Sequence, residues 1–366
     1  MEVGSHDMIL RFRVLFIFSI LTVGLSFLVR PVLASDCYFF SEAVGFVCDA
    51  EPTQPLFVEP EPFADSFLED IQYARLHDLI NVYSSPSLAS PIVRNVGDGF
   101  LYVTIRTPIL GDDGFVWYMI NFGEYVQAKD LTLVEHSQFT GYQVNAQPQR
   151  PFAWMIVDYW ASEEPGGEPV GSKLPRYTFF EIHDAVKDGE GWIWYNMGNG
   201  RWMRQTYVSI VDPKPRPAEV GADEYWVEVD LYEQSFAAYE GDRMVYTGLL
   251  SSGLNRWPTH EGLFQVWERH LTTKMSGAEG KIDYYFIEDV PHTMYFDEDI
   301  ALHGAYWHDR FGYKHSHGCV NMPPRAAEWI YKWSEDAPND LWVWVHESDP
   351  EAIFNRLDPT HTFAGP

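Results

Sequence analysis

The chain reads His303-Gly304 and, twelve residues beyond that glycine, Ser316-His317-Gly318-Cys319-Val320-Asn321. The other two cysteines, Cys37 and Cys48, lie far upstream. A single cysteine set among histidines and glycines reads as a nucleophile rather than as half of a disulfide. The thiolate is the reactive species, and a neighbouring imidazole can draw its pKa down toward working pH. Glycine beside the sulfur removes a side chain, lets a carbonyl carbon approach and frees backbone N–H groups for a developing oxyanion.

Around this stretch the periodicity is mostly that of strands. Trp226-Val227-Glu228-Val229-Asp230-Leu231 alternates apolar with polar, as a half-buried strand does. Phe236–Tyr239 and Met244–Tyr246 flank Glu240-Gly241-Asp242, a hairpin turn signal. After Pro324 the period changes: Ala326, Trp329, Ile330 and Trp333 fall at i, i+3, i+4 and i+7, one apolar helix face opened by proline. Leu341–Val345 returns to strand, and residues 348–366 read as a loose tail.

A thiol nucleophile needs a base, a group that orients the base, and an oxyanion site. His303 and His317 lead as base, with His308 and His315 behind them, and the residues alone do not rank the four. The same histidines with Cys319 could in principle hold zinc, but their spacing matches no Cys/His zinc pattern. No metal and no cofactor is expected.

These residues carry a family likeness. His303-Gly304, the spacer and Ser316–Asn321 resemble the signature of L,D-transpeptidase catalytic domains, enzymes that cross-link bacterial peptidoglycan. The likeness extends upstream: Gln234 in the opening hairpin, Leu250-Ser251-Ser252-Gly253 at a strand end, and Pro258-Thr259-His260-Glu261-Gly262-Leu263-Phe264 as a turn. It covers about 223–347. The resemblance implies a mainly β, sandwich-type catalytic domain of two packed mixed sheets, with one helix after the nucleophile. It implies Cys319 as acylated nucleophile and His303 as general base, oriented by the Gly304 carbonyl. Gly318 and Cys319 N–H groups would serve the oxyanion, while His317, Ser316 and Asn321 shape the loop and bind substrate. Tyr306 and Trp307, just after the base, would line the cleft. Two departures stand out: a short spacer before Ser316, implying a trimmed lid-like loop, and an inverted Pro258-Thr259 order with His260 inserted. The implied reaction is acyl transfer from a donor stem peptide, through a Cys319 thioester, to an amine of an acceptor stem.

Upstream, two stretches repeat one another. Gly114-Phe115-Val116-Trp117-Tyr118 returns seventy-seven residues later as Gly191-Trp192-Ile193-Trp194-Tyr195. Short apolar runs broken by Gly, Pro and Asp signal small β-barrels. Residues 73–137 and 150–212 resemble bacterial SH3-like domains, a resemblance that implies binding of wall peptide or glycan; any one of their Trp or Tyr residues is more simply barrel core. Asp212–Pro217, with alternating prolines, reads as a stiff linker within 213–222. On this view deletion of 73–212 spares turnover of a soluble stem peptide.

The 366 residues carry 53 acidic against 25 basic side chains, a formal net charge of −28, which excludes nucleic acid as a partner and disfavours anionic lipid. Aromatic content of 16% argues for large packed cores. Arg11 and Arg13 precede an apolar run from Val14 to Val29, followed by Val32-Leu33-Ala34, so residues 1–34 read as a signal peptide or an N-terminal anchor. Either places the remainder outside the cytoplasm, in periplasm, wall or medium, with membrane contact only through an uncleaved leader. There, in the segment 35–72, Cys37 and Cys48 could close a disulfide and leave Cys319 as the odd thiol. The competing readings are an L,D-carboxypeptidase, with water as acceptor, and a wall-binding protein without catalysis.

Overall fold

The computed structural model describes residues 55–281 and 283–357, together with the upstream strands Cys37–Ser41 and Gly45–Cys48. Contacts divide the chain into residues 1–55 and 56–366. In the first unit the two strands pair antiparallel, with Cys37 opposite Cys48 in the backbone register. The disulfide expected there, the leader 1–34 and the segment beyond 357 lie outside the described residues. Among the described residues no helix is long and apolar enough to cross a membrane.

Two seven-stranded mixed sheets frame the second unit. One runs in the order Gly262–Gln265, Trp342–His346, Tyr225–Asp230, Ser235–Glu240, Arg243–Leu249, Tyr142–Val144, Phe57–Val58. The other runs Leu131–Val134, Gln72–Leu76, Phe100–Ile105, Tyr285–Asp297, Ile300–Gly304, Val320–Met322, with Glu268–Gly277 also paired to Tyr285–Asp297. Val227, Val229, Phe236 and Ala238 of the first meet Met294, Phe296 and Leu302 of the second. Helix α1 (Pro324–Trp333) closes that core with Ala326, Trp329 and Ile330, the face its periodicity predicts. The mainly β fold with a helix after Cys319 is therefore the observed one.

The strand Tyr225–Asp230 departs from its half-buried expectation. Its alternation is real, but Glu228 and Asp230 are buried along with the apolar residues. Tyr239 Oη donates to Glu228 at 3.1 Å and His346 Nε2 lies 2.9 Å from it, while Asp230 Oδ1 accepts the N–H groups of Tyr232 and Glu233. Buried carboxylates persist only with such partners. Trp226 points into a second core shared with Phe152, Trp154, Val211 and Phe311. Strand alternation tells which residues share a face; here both faces are covered.

That second face is covered by Phe57 and by residues between Phe139 and Val220, Phe152 and Trp154 among them. Residues 72–134 form strands with a core of Val82, Val103, Ile120 and Val126, and residues 152–211 form two three-stranded antiparallel sheets around Ile182, Ile193, Tyr195 and Met203. Each ends in a short 3-10 turn followed by a strand, Ala128–Asp130 then Leu131–Val134 and Gln205–Tyr207 then Val208–Val211. In each a buried or half-buried tryptophan donates to an upstream aspartate, Trp117 to Asp113 at 3.2 Å and Trp194 to Asp188 at 2.7 Å. Trp117 and Tyr195 are core residues.

Neither segment hangs free. Phe100–Ile105 pairs parallel with Tyr285–Asp297, placing Phe100 opposite Tyr285. Ser235 Oγ donates to the Ile210 carbonyl at 2.9 Å, and the Ile210 N–H donates to Glu233 at 2.8 Å. The 213–222 segment, expected as an open linker, is packed down: Val220 is buried and the Lys214 N–H donates to Tyr239 Oη. The expected loose tail holds helix α2 (Pro350–Leu357), with Ile353 and Phe354 buried and Phe354 in the 152–211 core. Asp349 caps it, Oδ1 accepting the Glu351 N–H at 2.9 Å.

Candidate active site

The strands Ile300–Gly304 and Val320–Met322 run parallel, with Leu302 opposite Val320 and His303 opposite Asn321. Two-residue alternation puts residues 301, 303, 319 and 321 on one face. His303, Cys319 and Asn321 accordingly line one cavity of about 460 Å³. His315 and His317 line it as well.

His303 is 1% exposed, and its Nδ1 lies 3.4 Å from the Gly304 carbonyl. Burial draws its pKa down to about 4, against a small upward pull from that carbonyl. Gly304 is a glycine for a steric reason: a Cβ there would stand 2.9 Å from Pro291 Cγ and 3.1 Å from Pro324 Cα. Burial pushes the Cys319 thiol up to about 11, offset in part by the Ala301 N–H directed at the sulfur. The thiol lies 3.6 Å from the Asp299 carbonyl. Burial thus shifts both groups toward their neutral forms, against the lowered thiol pKa expected from a neighbouring imidazole.

The loop before the nucleophile is held from several sides. The Gln234 amide, on a residue with φ of 55°, donates to Ser252 Oγ at 2.7 Å and accepts the Ser252 N–H at 2.8 Å. The Ser252 carbonyl in turn accepts the His315 and Ser316 N–H groups at 2.9 and 3.0 Å. Thr259 Oγ1 accepts the Gly253 N–H at 2.9 Å and donates to the Gly318 carbonyl at 2.6 Å. Gly253 admits no side chain, since a Cβ would fall 2.1 Å from the Trp257 carbonyl. Gly318 has φ of +126°, a backbone position suited to glycine. Ser316 Oγ donates to the Cys319 carbonyl and accepts the Gly318 N–H at 3.1 Å. The Gly318 N–H, expected as an oxyanion donor, thus faces that hydroxyl in this structure.

The role of Thr259 was missed, because the inverted Pro258-Thr259 order obscured it. Its hydroxyl serves two backbone groups at once, so Thr259→Val leaves a buried N–H and a buried carbonyl unpaired. We expect a loss of about 1–3 kcal/mol in denaturant unfolding, with recovery in Thr259→Ser. An unchanged midpoint in the valine variant would dismiss the clamp. His260, the inserted residue, is exposed beside Asp297 at 2.7 Å and does not line the cavity.

The other expected site residues divide. Ser316, Asn321, Trp307 and His317 line the cavity. The Trp307 ring lies 5.6 Å from that of His303. His317 is exposed, its ring 3.8 Å from Trp257 and 5.2 Å from Tyr285, so it serves as wall. The Asn321 side-chain amide sits 2.9 Å from His308 Nε2, and His308 is held well below its usual pKa by burial and by His315. Tyr306 is not a cleft residue: it is buried, stacked on Tyr73 at 3.6 Å and donating to the Glu288 carbonyl at 2.7 Å. Tyr306 follows His303 by three residues, past the end of the strand, and turns into the core, while Trp307 lines the cavity. The short spacer is no free lid either, since Asp309 accepts from Ser137 and Tyr177 at 2.6 and 2.8 Å and Arg176 donates to the Phe311 carbonyl.

Among the described residues, the His, Cys and carboxylate group whose ligand atoms lie within 4.8 Å is Glu228, Asp230 and His346, away from this cavity. Its atoms are bonded to one another and to backbone, as described above.

Residues 224–345 match the family model described as YkuD, L,D-transpeptidase catalytic domain. The Bacillus subtilis (strain 168) protein named "Putative L,D-transpeptidase YciB" is 27% identical over 147 residues, covering 36% of this chain and 73% of that one. Among solved structures, a cysteine-to-serine variant of the Enterococcus faecium L,D-transpeptidase is 24% identical at a TM-score of 0.30, over 34% of this chain and 50% of that one. The L,D-transpeptidase from Mycobacterium smegmatis is 18% identical at a TM-score of 0.32, over 48% and 71%. The match thus spans half the length of the Enterococcus enzyme.

Proposed function

We propose, given that residues 224–345 match the L,D-transpeptidase catalytic domain family, that this protein is an extracytoplasmic peptidoglycan L,D-transpeptidase working through a Cys319 thioester. The observation that carries this is the opening of Cys319 and a neutral His303 into one cavity from adjoining parallel strands. With both groups neutral, His303 Nε2 takes the thiol proton as the sulfur attacks the donor carbonyl, rather than holding a preformed ion pair. The Gly304 carbonyl keeps the imidazole in the tautomer that leaves Nε2 free. Sulfur–carbon bond formation generates an oxyanion, for which the Cys319 N–H is the remaining backbone donor once Gly318 is engaged. Collapse expels the terminal D-amino acid as an amine, which takes the proton from His303. An acceptor amine then attacks the thioester carbonyl and returns the thiol.

Mass spectrometry after exposure to a carbapenem, a reagent expected to acylate this nucleophile, tests the assignment. We expect one adduct on the wild-type chain and none on Cys319→Ala. An adduct kept by the alanine variant, or missing from folded wild type, would remove Cys319 from the mechanism.

A further inference from the structure

We propose that residues 72–134 supply one wall of the catalytic cavity, and that the Asp78 carboxylate on that wall selects an acceptor arriving as an ammonium. This rests on the acyl-transfer reading above and goes beyond it by naming the acceptor-selecting residue outside the 224–345 domain. Asp78, Gly99 and Phe100 line the same cavity as Cys319 and His303. The seam that brings them there is tight. Phe100 stands opposite Tyr285 in the parallel pair, and its N–H donates to the Tyr284 carbonyl at 3.0 Å. At Gly99 a Cβ would lie 2.9 Å from Tyr284 Cδ1 and 3.2 Å from the Tyr284 carbonyl, so glycine is what permits the approach. The Gly99 N–H donates to Asp78 Oδ1 at 3.3 Å, tethering the carboxylate at this seam.

Charge in the cavity is unbalanced. Three carboxylates line it, Asp78, Asp283 and Asp299, against a single guanidinium, Arg256. Arg256 lies 3.6 Å from Asp283, and among the described residues no ion pair joins Asp78 or Asp299 to a basic side chain. Among the remaining lining groups, His303 is buried with its Nε2 unpartnered, so a reacting group is received at the floor while the negative charge stands at the wall. A cleft of one sign concentrates ligands of the other and disfavours like charge.

The acyl donor needs no positive charge to meet Cys319, whereas the acceptor amine is protonated in neutral water. It gives one proton to solvent before attack. Nitrogen–carbon bond formation then breaks the carbon–sulfur bond, and a second proton passes from nitrogen to the leaving sulfur. Asp78 acts on the first stage, holding the cation near the thioester.

The test uses the full chain with a synthetic stem tetrapeptide as donor and 1,5-diaminopentane as acceptor probe, following transfer to amine and to water separately. For Asp78→Asn we expect the KM for the diamine to rise about tenfold, with kcat at saturating diamine and the rate of thioester hydrolysis holding. Rising salt should weaken diamine use by wild type and have little effect on the variant. Glu59→Gln, which removes a carboxylate away from the cavity, should behave as wild type. If wild type forms no Cys319 thioester at all, the acyl-transfer reading fails. If wild type and Asp78→Asn form it alike and use the diamine with the same KM, the Asp78 assignment is overturned and the acyl-transfer reading stands. Loss of thioester formation in Asp78→Asn also overturns it, since that marks a structural role.

Discussion

Replacing His303 with alanine is expected to slow acylation of Cys319 by at least about a hundredfold, the scale of losing a positioned general base. The thiol sits near pKa 11, so almost none is ionised at neutral pH and the attack needs its proton removed in flight. His303 is a buried imidazole lining the cavity, whereas His317 is exposed, tilted against Trp257 and stacked on Tyr285. His317→Ala should therefore be mild. The pH profile carries the sign. The basic form of His303 exists above its pKa of about 4, so acylation should fall as pH drops through about 4 and stay level across neutrality. A limb near neutral pH would point instead to a preformed thiolate–imidazolium pair. A crippling His317→Ala beside a mild His303→Ala would reverse the two assignments.

The second large effect concerns the upstream half. Residues 223–347 expressed alone are expected to show no cooperative thermal transition, contrary to the picture of a catalytic bead behind detachable modules. Removing the preceding chain strips the parallel partner from Tyr285–Asp297 and the edge strands Tyr142–Val144 and Phe57–Val58 from the other sheet. It also uncovers Tyr306, which stacks on Tyr73, and Trp226 and Phe311, which share a core with Phe152 and Trp154. Each such side chain forfeits about 2–3 kcal/mol on exposure, and a whole domain holds only about 5–15 kcal/mol. Calorimetry of the fragment beside the full chain decides the matter. A sharp transition near that of the full chain would restore the detachable-module picture.

Much of the site was legible because it is local. The pattern from Ser316 to Asn321 sets a glycine, a serine and a thiol within reach of one another, and such chemistry follows from neighbours in the chain. The helix from Pro324 was legible for the same reason, its period being written in ten consecutive residues. Helix α2 was read as loose tail: Asp349-Pro350 ahead of Ile353 and Phe354 is a start signal, but eight residues make a faint period. Thr259 was obscured because its partners, Gly253 and Gly318, meet only when two distant loops fold together.

From the amino-acid order came the thiol, the set of histidines able to serve it, and strands with a known alternation. Those properties depend on residues a few positions apart. Where the histidines stand came from the tertiary pairing of two parallel strands, which put His303 opposite Asn321 and left Tyr306 in the core. That Glu228 and Asp230 are buried, and that Asp78 and Phe100 line the same cavity as Cys319, came from contacts spanning over a hundred residues. Alternation states which side a residue faces. Only the folded chain supplies what lies against that side, because strand partners are chosen by packing that no local pattern encodes.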